Sequence, residues 1–204
     1  MKTILATDIV GSDFARGVYQ STVLGYVSRN GNGKEILVAE RRKPDDPLRA
    51  GQLVIPGGGT EKQDVVYAAQ REVLEETGVE TKSLGIFTFS GLVHTILRDG
   101  KYATVVIQPP TKLWIRYKDS GKCYTGYIVR LKPLSEPKNM ESDAANPRYM
   151  CLDQALEEID KFTPGSGVAL EMIGSEEFGT NPVKNDDVII DEDIPLGDLL
   201  KVIY

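Results

Sequence analysis

The stretch that decides the fold is residues 57–79, which read GGGTEKQDVVYAAQREVLEETGV. Its later part predicts a helix over about residues 64–77, and either Thr60 or Asp64 could cap the start of that helix. Gly78 follows at the position where helices commonly end in a left-handed residue. The segment therefore predicts a glycine-rich connection that leads, over a short linker, into a capped helix.

Three glutamates share one face of this predicted helix. Glu72, Glu75 and Glu76 stand at positions i, i+3 and i+4, and a turn of about 100° per residue places such positions side by side. Neighbouring carboxylates repel one another unless solvent or a cation neutralises them. Taken alone, such a run is usually a solvated face. Carboxylate oxygens are also the ligands that Mg²⁺ or Mn²⁺ prefers.

Two further features favour the metal interpretation. Residues 56–59, Pro-Gly-Gly-Gly, can turn sharply from a strand into the helix and can approach a metal or substrate closely, because glycine has no Cβ. Arg71 lies directly before Glu72 and four residues before Glu75, so it can pair with a carboxylate and fix its rotamer. The opposite helix face is apolar and predicts docking on a sheet; it carries Val65, Ala68, Ala69 and Val73.

Together these residues resemble the signature of the Nudix hydrolases. That signature is Gly, five residues, Glu, seven residues, Arg-Glu, an aliphatic residue, any residue, Glu-Glu, any residue, Gly and an aliphatic residue. The positions that fall in register are Gly57, Arg71, Glu72, Val73, Glu75, Glu76, Gly78 and Val79. The one departure is Gln63, which stands where the family has its first glutamate, a residue that supports the metal site. Glu61 or Asp64 could compensate for the missing charge.

The resemblance implies an α/β fold of the α+β type, a Nudix-like α/β/α sandwich with a mixed sheet. We expect residues 1–165 to form this catalytic domain. Residues 166–204 are then a C-terminal extension that packs on the domain or on a partner subunit, because an exposed apolar C-terminus is unfavourable. A homodimer is a reasonable expectation for such a chain.

The resemblance also implies a reaction, the hydrolysis of a diphosphate linkage with Mg²⁺ or Mn²⁺. The substrate is expected to be a small nucleotide-type molecule, a nucleoside diphosphate linked to another moiety, such as a nucleotide sugar, ADP-ribose or a dNTP. Glu72, Glu75 and Glu76 would hold the metal, with Arg71 beside them. A catalytically silent nucleotide-binding or regulatory module is the alternative, motivated by Gln63. An interaction protein that uses the acidic, apolar-ended tail is a third possibility.

Further site residues are expected outside the helix. A later carboxylate often acts as base in relatives, and Glu141 or Asp143 is the candidate, with Glu136 behind them; plain loop acids are the alternative interpretation. Phosphates could meet Gly57, Gly58, Gly59, Arg41, Arg42 and Arg49. Residues 41 and 42 alternate across a predicted strand end, so one of these two arginines must face solvent.

The remaining chain reads as strands before and after helices without regular alternation, which indicates a mixed sheet with helices on its faces. We predict a turn at residues 30–33, Asn-Gly-Asn-Gly, between two strands. Strands are predicted near 17–30, 35–41, 53–55, 83–97, 102–107, 112–118 and 123–132. Residues 149–152 read as a strand that runs into a helix over 152–162. Residues 168–173 could form another helix.

Composition limits the other function classes. The chain has 204 residues, 41% of them hydrophobic, so it can bury a core as one domain. A net charge of −6 argues against general nucleic-acid or membrane binding. No signal peptide or membrane span is recognisable, and Cys123 and Cys151 read as free thiols, so we expect a cytoplasmic protein. His94 is the single histidine, which leaves little material for a catalytic triad or a zinc site.

Overall fold

The computed structural model of the chain describes residues 19–29, 35–42, 49–87, 104–108, 112–116 and 123–178. The strands within these ranges are Tyr19–Arg29 (β1), Glu35–Arg41 (β2), Leu53–Val54 (β3), Gly57–Gly59 (β4), Thr81–Ile86 (β5), Thr104–Gln108 (β6), Lys112–Arg116 (β7), Cys123–Pro133 (β8) and Ala144–Cys151 (β9). The α-helices are Val65–Thr77 (α1), Leu152–Glu157 (α2) and Pro164–Phe178 (α3), with a 3-10 helix at Ile159–Lys161.

A parallel pair, β1 and β8, forms the middle of the sheet, in register from Tyr19 opposite Cys123 to Val27 opposite Leu131. The strand order through this pair is β3-β2-β1-β8-β7-β6. The other pairings are antiparallel, and they attach β4 to β1, β5 to β8 and β9 to β2. The sheet is therefore mixed, and this part of the expected fold class is confirmed.

Helices cover both faces of this sheet. On one face, α1 packs through Ala68, Ala69 and Val73 against a cluster that includes β1 and β8 side chains. The strand and helix approach closely at Gly25, where a Cβ would lie 2.3 Å from Val73 Cγ2. On the other face, α2 and α3 pack over a second apolar cluster. The expected α/β/α sandwich is confirmed.

Both ends of α1 follow from its sequence. The Asp64 carboxylate accepts hydrogen bonds from the backbone N–H groups of Val66, at 2.9 Å, and Tyr67, at 3.2 Å, so Asp64 is the cap. Gly78 ends the helix with φ 67°, and its N–H donates to the carbonyl of Leu74. The helix therefore begins and ends as its sequence predicts.

The glycine segment differs from the predicted loop, because residues 57–59 form β4. Gly57, Gly58 and Gly59 pair antiparallel with Leu24, Val23 and Thr22 of β1. A Cβ on Gly57 would lie 2.2 Å from the Val23 carbonyl oxygen, so the backbones approach more closely than a side chain allows. The absence of a Cβ atom at Gly57 thus allows β4 to pair closely with β1.

The helix predicted over residues 152–162 is shorter in the structure. α2 ends at Glu157, and the 3-10 turn that follows leads into extended backbone at Phe162. Phe162 is buried and bridges to Leu53, and the N–H of Thr163 donates to the Leu53 carbonyl at 2.9 Å. Pairing with the β3 backbone ends the helix, since these backbone groups bond across the chain instead of along it.

The expected boundary after residue 165 falls inside α3. Val168, Leu170 and Ile173 of this helix are buried in the core. The first part of the expected extension therefore packs on the domain, whereas residues 179–204 lie outside the described residues, as do the predicted turn at 30–33 and His94. Among the residues described, no helix is both long enough and apolar enough to cross a membrane.

Candidate active site

A pocket of about 950 Å³ lies where β4 and α1 meet the start of α3. One wall is formed by the β4 glycines and the α1 side chains, and the other by residues at the N-terminal end of α3. We call it the glutamate pocket. Its charged lining residues are Arg41, Arg49, Glu61, Lys62, Arg71, Glu72, Glu75, Glu76 and Asp143. The structure thus brings most of the expected site residues into one concave surface.

Arg71 connects the helix to the segment before it. Its Nη1 donates to Glu75 Oε2 at 3.0 Å, and its Nη2 lies 2.8 Å from Glu72 Oε1. The same Nη2 donates to the Gly59 carbonyl at 2.9 Å, and Nε donates to Gln63 Oε1 at 3.0 Å. This guanidinium therefore fixes two glutamates and holds them toward β4, through charge-assisted bonds.

Gln63, the departure from the signature, keeps a contact in this network. Its amide oxygen accepts the hydrogen bond from Arg71 Nε, so it supplies an acceptor without a charge. Of the two acids that could compensate, Asp64 is engaged in capping α1. Glu61 lies 3.8 Å from Arg71 Nη2, with an exposed side chain. Glu61 is therefore the acid that adds negative charge near Arg71.

Glu72 lies against the middle glycine of β4. Its side chain is 12% exposed, and burial raises the pKa of its carboxyl group. A Cβ on Gly58 would lie 2.4 Å from Glu72 Oε2. The glycine therefore leaves the space that this carboxylate occupies.

Glu76 lies deeper, beside the start of β4. Its Oε2 accepts a hydrogen bond from the Gly57 N–H at 2.9 Å. Burial raises the pKa of Glu76 to about 8; that hydrogen bond and Arg41 oppose the rise, while Glu72 and Asp143 add to it. Without a cation beside it, burial therefore favours the neutral, protonated form of the Glu76 carboxyl group.

The carboxylates of Glu72, Glu75 and Glu76 are of the type that binds a hard divalent cation, but their side-chain conformations in this structure do not form a metal site. Among the described residues, no three His, Cys, Asp or Glu side chains are arranged to hold an ion. Arg71 engages Glu72 and Glu75, and the Gly57 N–H engages Glu76. The carboxylate oxygens of Glu72, Glu75 and Glu76, which line one pocket, are nevertheless the donors that such an ion prefers.

The structure separates several expected site residues. Arg41 and Arg49 line the glutamate pocket, whereas Arg42 is exposed outside it and its N–H donates to the Asp143 carbonyl at 2.6 Å. Asp143 and Glu141 are both exposed, but only Asp143 lines the pocket. Glu136, which precedes both acids in the chain, pairs instead with Arg29 at 2.8 Å and lines a different pocket.

Residues at the start of α3 line the same pocket and were not expected from the sequence. Ser166 is buried, and its hydroxyl oxygen accepts from the Ile55 N–H at 3.0 Å, next to the glycine segment. The Thr163 hydroxyl donates to Ser166 Oγ at 3.1 Å. The available signal was Thr163 followed by Pro164, a pattern typical of helix starts. It locates the helix start but not its position at the pocket.

Comparison with known proteins agrees with this fold. The NUDIX domain family model matches residues 18–169, which is well over half of the chain. The chain therefore belongs to the NUDIX domain family, and its enzyme class is that of the Nudix pyrophosphohydrolases.

Solved structures with a similar fold include three proteins of bacteria and archaea. A NUDIX hydrolase from Nitrosomonas europaea has a TM-score of 0.56 at 16% identity, covering 78% of this chain and 91% of that one. The E. coli ORF135 protein has a TM-score of 0.54 at 16% identity, covering 81% and 96%. The MutT protein from Methanosarcina mazei Go1 has a TM-score of 0.51 at 18% identity, covering 79% and 96%. At these identities the likeness concerns the fold.

Proposed function

We propose that this chain hydrolyses a diphosphate linkage in a small nucleotide-type substrate and that it depends on Mg²⁺ or Mn²⁺. The observation that carries the proposal is the convergence of Glu72, Glu75 and Glu76 beside the β4 glycines, with Arg71 between them. Membership of the NUDIX domain family supports the hydrolytic class. The metal and the substrate class rest on the chemistry of the pocket residues.

Each group in the pocket has a defined task in this proposal. Glu72, Glu75 and Glu76 would hold the metal, which when bound polarises a phosphoryl group and lowers the pKa of water. Arg71 fixes the carboxylates through the bonds described above. The positive charges of Arg41 and Arg49 attract the phosphate oxygens of the substrate.

Asp143 is our candidate for the base that accepts a proton from water. It lines the same pocket as Glu76, and it contributes to the raised pKa of that residue, so the two carboxyl groups sense each other. Glu141, two residues away and exposed like Asp143, lies outside the lining. The neighbouring pair therefore provides a matched comparison.

The catalytically silent alternative is not favoured. Its motivation was the missing charge at Gln63, and this side chain still accepts the hydrogen bond from Arg71 Nε. A cytoplasmic location and a homodimer stay predictions.

The test is a phosphate-release screen with Mg²⁺ or Mn²⁺ across dNTPs, nucleotide sugars, ADP-ribose, NADH, dinucleoside polyphosphates and coenzyme A. We expect turnover of at least one compound, and a loss of at least roughly 100-fold in Glu75→Gln with an unchanged circular dichroism spectrum. Asp143→Asn should lose activity, whereas Glu141→Gln should retain it. Wild-type activity in Glu75→Gln, or binding without hydrolysis across the panel, would overturn the proposal.

A further inference from the structure

A second pocket, of about 640 Å³, lies at the other end of β1. The glutamate pocket is bordered by Ser21 to Leu24 of this strand, whereas the second pocket begins at Tyr26 and Ser28. It also receives Glu177 from the last turn of α3. We call it the basic pocket, because its lining includes Arg29, Arg130 and Lys132.

Two of these three cations have acidic partners in the pocket. Arg130 lies 3.2 Å from Glu177, and its guanidinium stands 4.1 Å from the centre of the Phe87 ring. Arg29 lies 2.8 Å from Glu136. The two carboxylates of the lining, Glu136 and Glu177, are thus paired with the two arginines. Neither of them pairs with Lys132, the third cation of the lining.

Lys132 is exposed and forms no ion pair with any residue that the structure describes. Lys82 of β5 stands directly opposite Lys132 in the antiparallel pairing with β8, and it is equally exposed and equally without an ion pair in that part of the chain. Residues directly opposite in an antiparallel pair share a face, and like charges there are destabilising. An acidic ligand at this place would remove the repulsion.

Apolar side chains border the same cations. Leu84 of β5 is 58% exposed and Leu134, just after β8, is 62% exposed, and both line the basic pocket. The surface therefore favours a partner that presents carboxylates and aliphatic side chains together. A small inorganic anion meets only the first of these conditions.

The chain itself contains such a segment. Residues 186–193 read DDVIIDED, which places five acids around three aliphatic residues. α3 ends at Phe178, directly after Glu177 of the basic pocket. Seven residues lie between Phe178 and Asp186, and the eight steps from one Cα atom to the next reach at most ~29 Å when extended. Such a short tether gives an effective concentration of roughly millimolar.

The charge pattern also distinguishes this segment from residues 88–103, another stretch outside the described residues. Residues 88–103 follow Phe87 and carry Arg98 and Lys101 against Asp99. Their charge does not complement Lys82 and Lys132. By contrast, Gly179 directly after α3 is a residue that ends helices and allows the chain to change direction.

We propose that the acidic segment 186–193 docks on the basic pocket of its own chain. Its carboxylates neutralise Lys82 and Lys132, and its aliphatic residues cover Leu84 and Leu134. The contact holds the end of α3, whose beginning lines the glutamate pocket, against the sheet. The occupant is thus an intramolecular partner, identified by its charge, its apolar residues and the length of its tether.

Amide hydrogen exchange of the full-length protein tests this proposal. We expect peptides within residues 186–193 to be protected, and Lys132→Glu to speed their exchange roughly threefold, the effect of one surface ion pair. Added salt should act in the same direction, because it screens exposed charges. Lys138→Glu is the matched control: Lys138 is likewise exposed, lies outside the lining of the basic pocket and forms no ion pair with a residue that the structure describes.

A charge exchange separates docking from a general loss of stability. Lys132→Glu combined with Asp191→Lys should restore the protection that Lys132→Glu alone removes. Equal exchange rates in the wild type and Lys132→Glu would overturn the proposal. So would protection that increases with protein concentration, since a second copy would then supply the segment. Hydrolysis is not part of the readout, so the outcome is independent of the proposed function.

Discussion

Glu76 is the residue whose environment departs most from that of an ordinary surface carboxylate. Burial raises its pKa from 4.5 to about 8 in the folded protein, so between these values the folded state keeps a proton that the unfolded state has lost. This group therefore favours folding below pH 4.5 and loses that contribution as pH rises through about 8. In metal-free protein we expect stability to fall by about 1.4 kcal/mol per pH unit in this window from this residue.

Denaturant unfolding in the presence of a chelator, at steps from pH 5 to pH 8, measures this slope. Glu76→Gln is the comparison, because its amide cannot ionise, and its stability should vary less with pH across the same range. If the stabilities of the variant and the wild type vary with pH in parallel, the raised pKa of Glu76 is refuted.

Gln63 acts on the glutamates through Arg71. Removing its amide in Gln63→Ala leaves Arg71 Nε without the acceptor now at 3.0 Å. We expect the guanidinium to lose its fixed orientation and turnover to fall by roughly 10-fold, typical of a residue that orients a metal ligand. Steady-state kinetics at several metal concentrations measure the loss.

The matched variant is Gln63→Glu, which restores an acceptor of nearly the same shape and adds a charge. It should keep or exceed wild-type turnover, because Arg71 retains its partner. Wild-type kinetics in Gln63→Ala would show that the contact with Arg71 is dispensable for orientation.

At the scale of elements, β4 and α1 form the site together, and adjacent glycines in β4 provide an internal comparison. A Cβ on Gly58 would lie 2.4 Å from Glu72 Oε2, whereas a Cβ on Gly59 would meet nothing within 4 Å. Gly58→Ala should displace the end of the flexible Glu72 side chain. We therefore expect it to lower turnover by roughly 10-fold or more, with a change in melting temperature of only a few degrees.

Gly59→Ala should retain activity and stability, since its methyl group enters open space. Kinetics and thermal unfolding of the two variants, measured side by side, decide the point. Equal activities would mean that the Glu72 position seen here does not matter for turnover.

Local sequence predicts α1 well because its determinants lie within the element. The cap at Asp64, the left-handed Gly78 and the helical spacing of the glutamates are all decided by neighbours in the chain. β4 and the end of α2 were predicted less well, since pairing with β1 and with Leu53 decides them. These partners are distant in sequence, and periodicity contains no information about them.

At the scale of the whole molecule, pairing between distant strands also decides which of the predicted residues reach the site. The sequence could not choose between Arg41 and Arg42, or between Glu141 and Asp143. Pairing of β2 with β9 sets Arg41 opposite Ala144, and the Arg42 N–H bonds to the Asp143 carbonyl. This register brings Arg41 and Asp143 to one pocket, and it depends on strands that are about 100 residues apart.

The start of α3 lines the glutamate pocket, and its last turn lines the basic pocket. Removing this helix tests where the domain ends. Its buried side chains Val168, Leu170, Met172 and Ile173 contribute roughly 1.5–3 kcal/mol each, which together rivals the 5–15 kcal/mol that stabilises a typical domain. A chain ending at residue 165 should therefore be unfolded, whereas one ending at 178 should keep a cooperative thermal transition. Circular dichroism melting curves of the two truncations check this expectation. A cooperative transition in the shorter chain would mean that the core closes without α3, and that the boundary expected after residue 165 is the correct one.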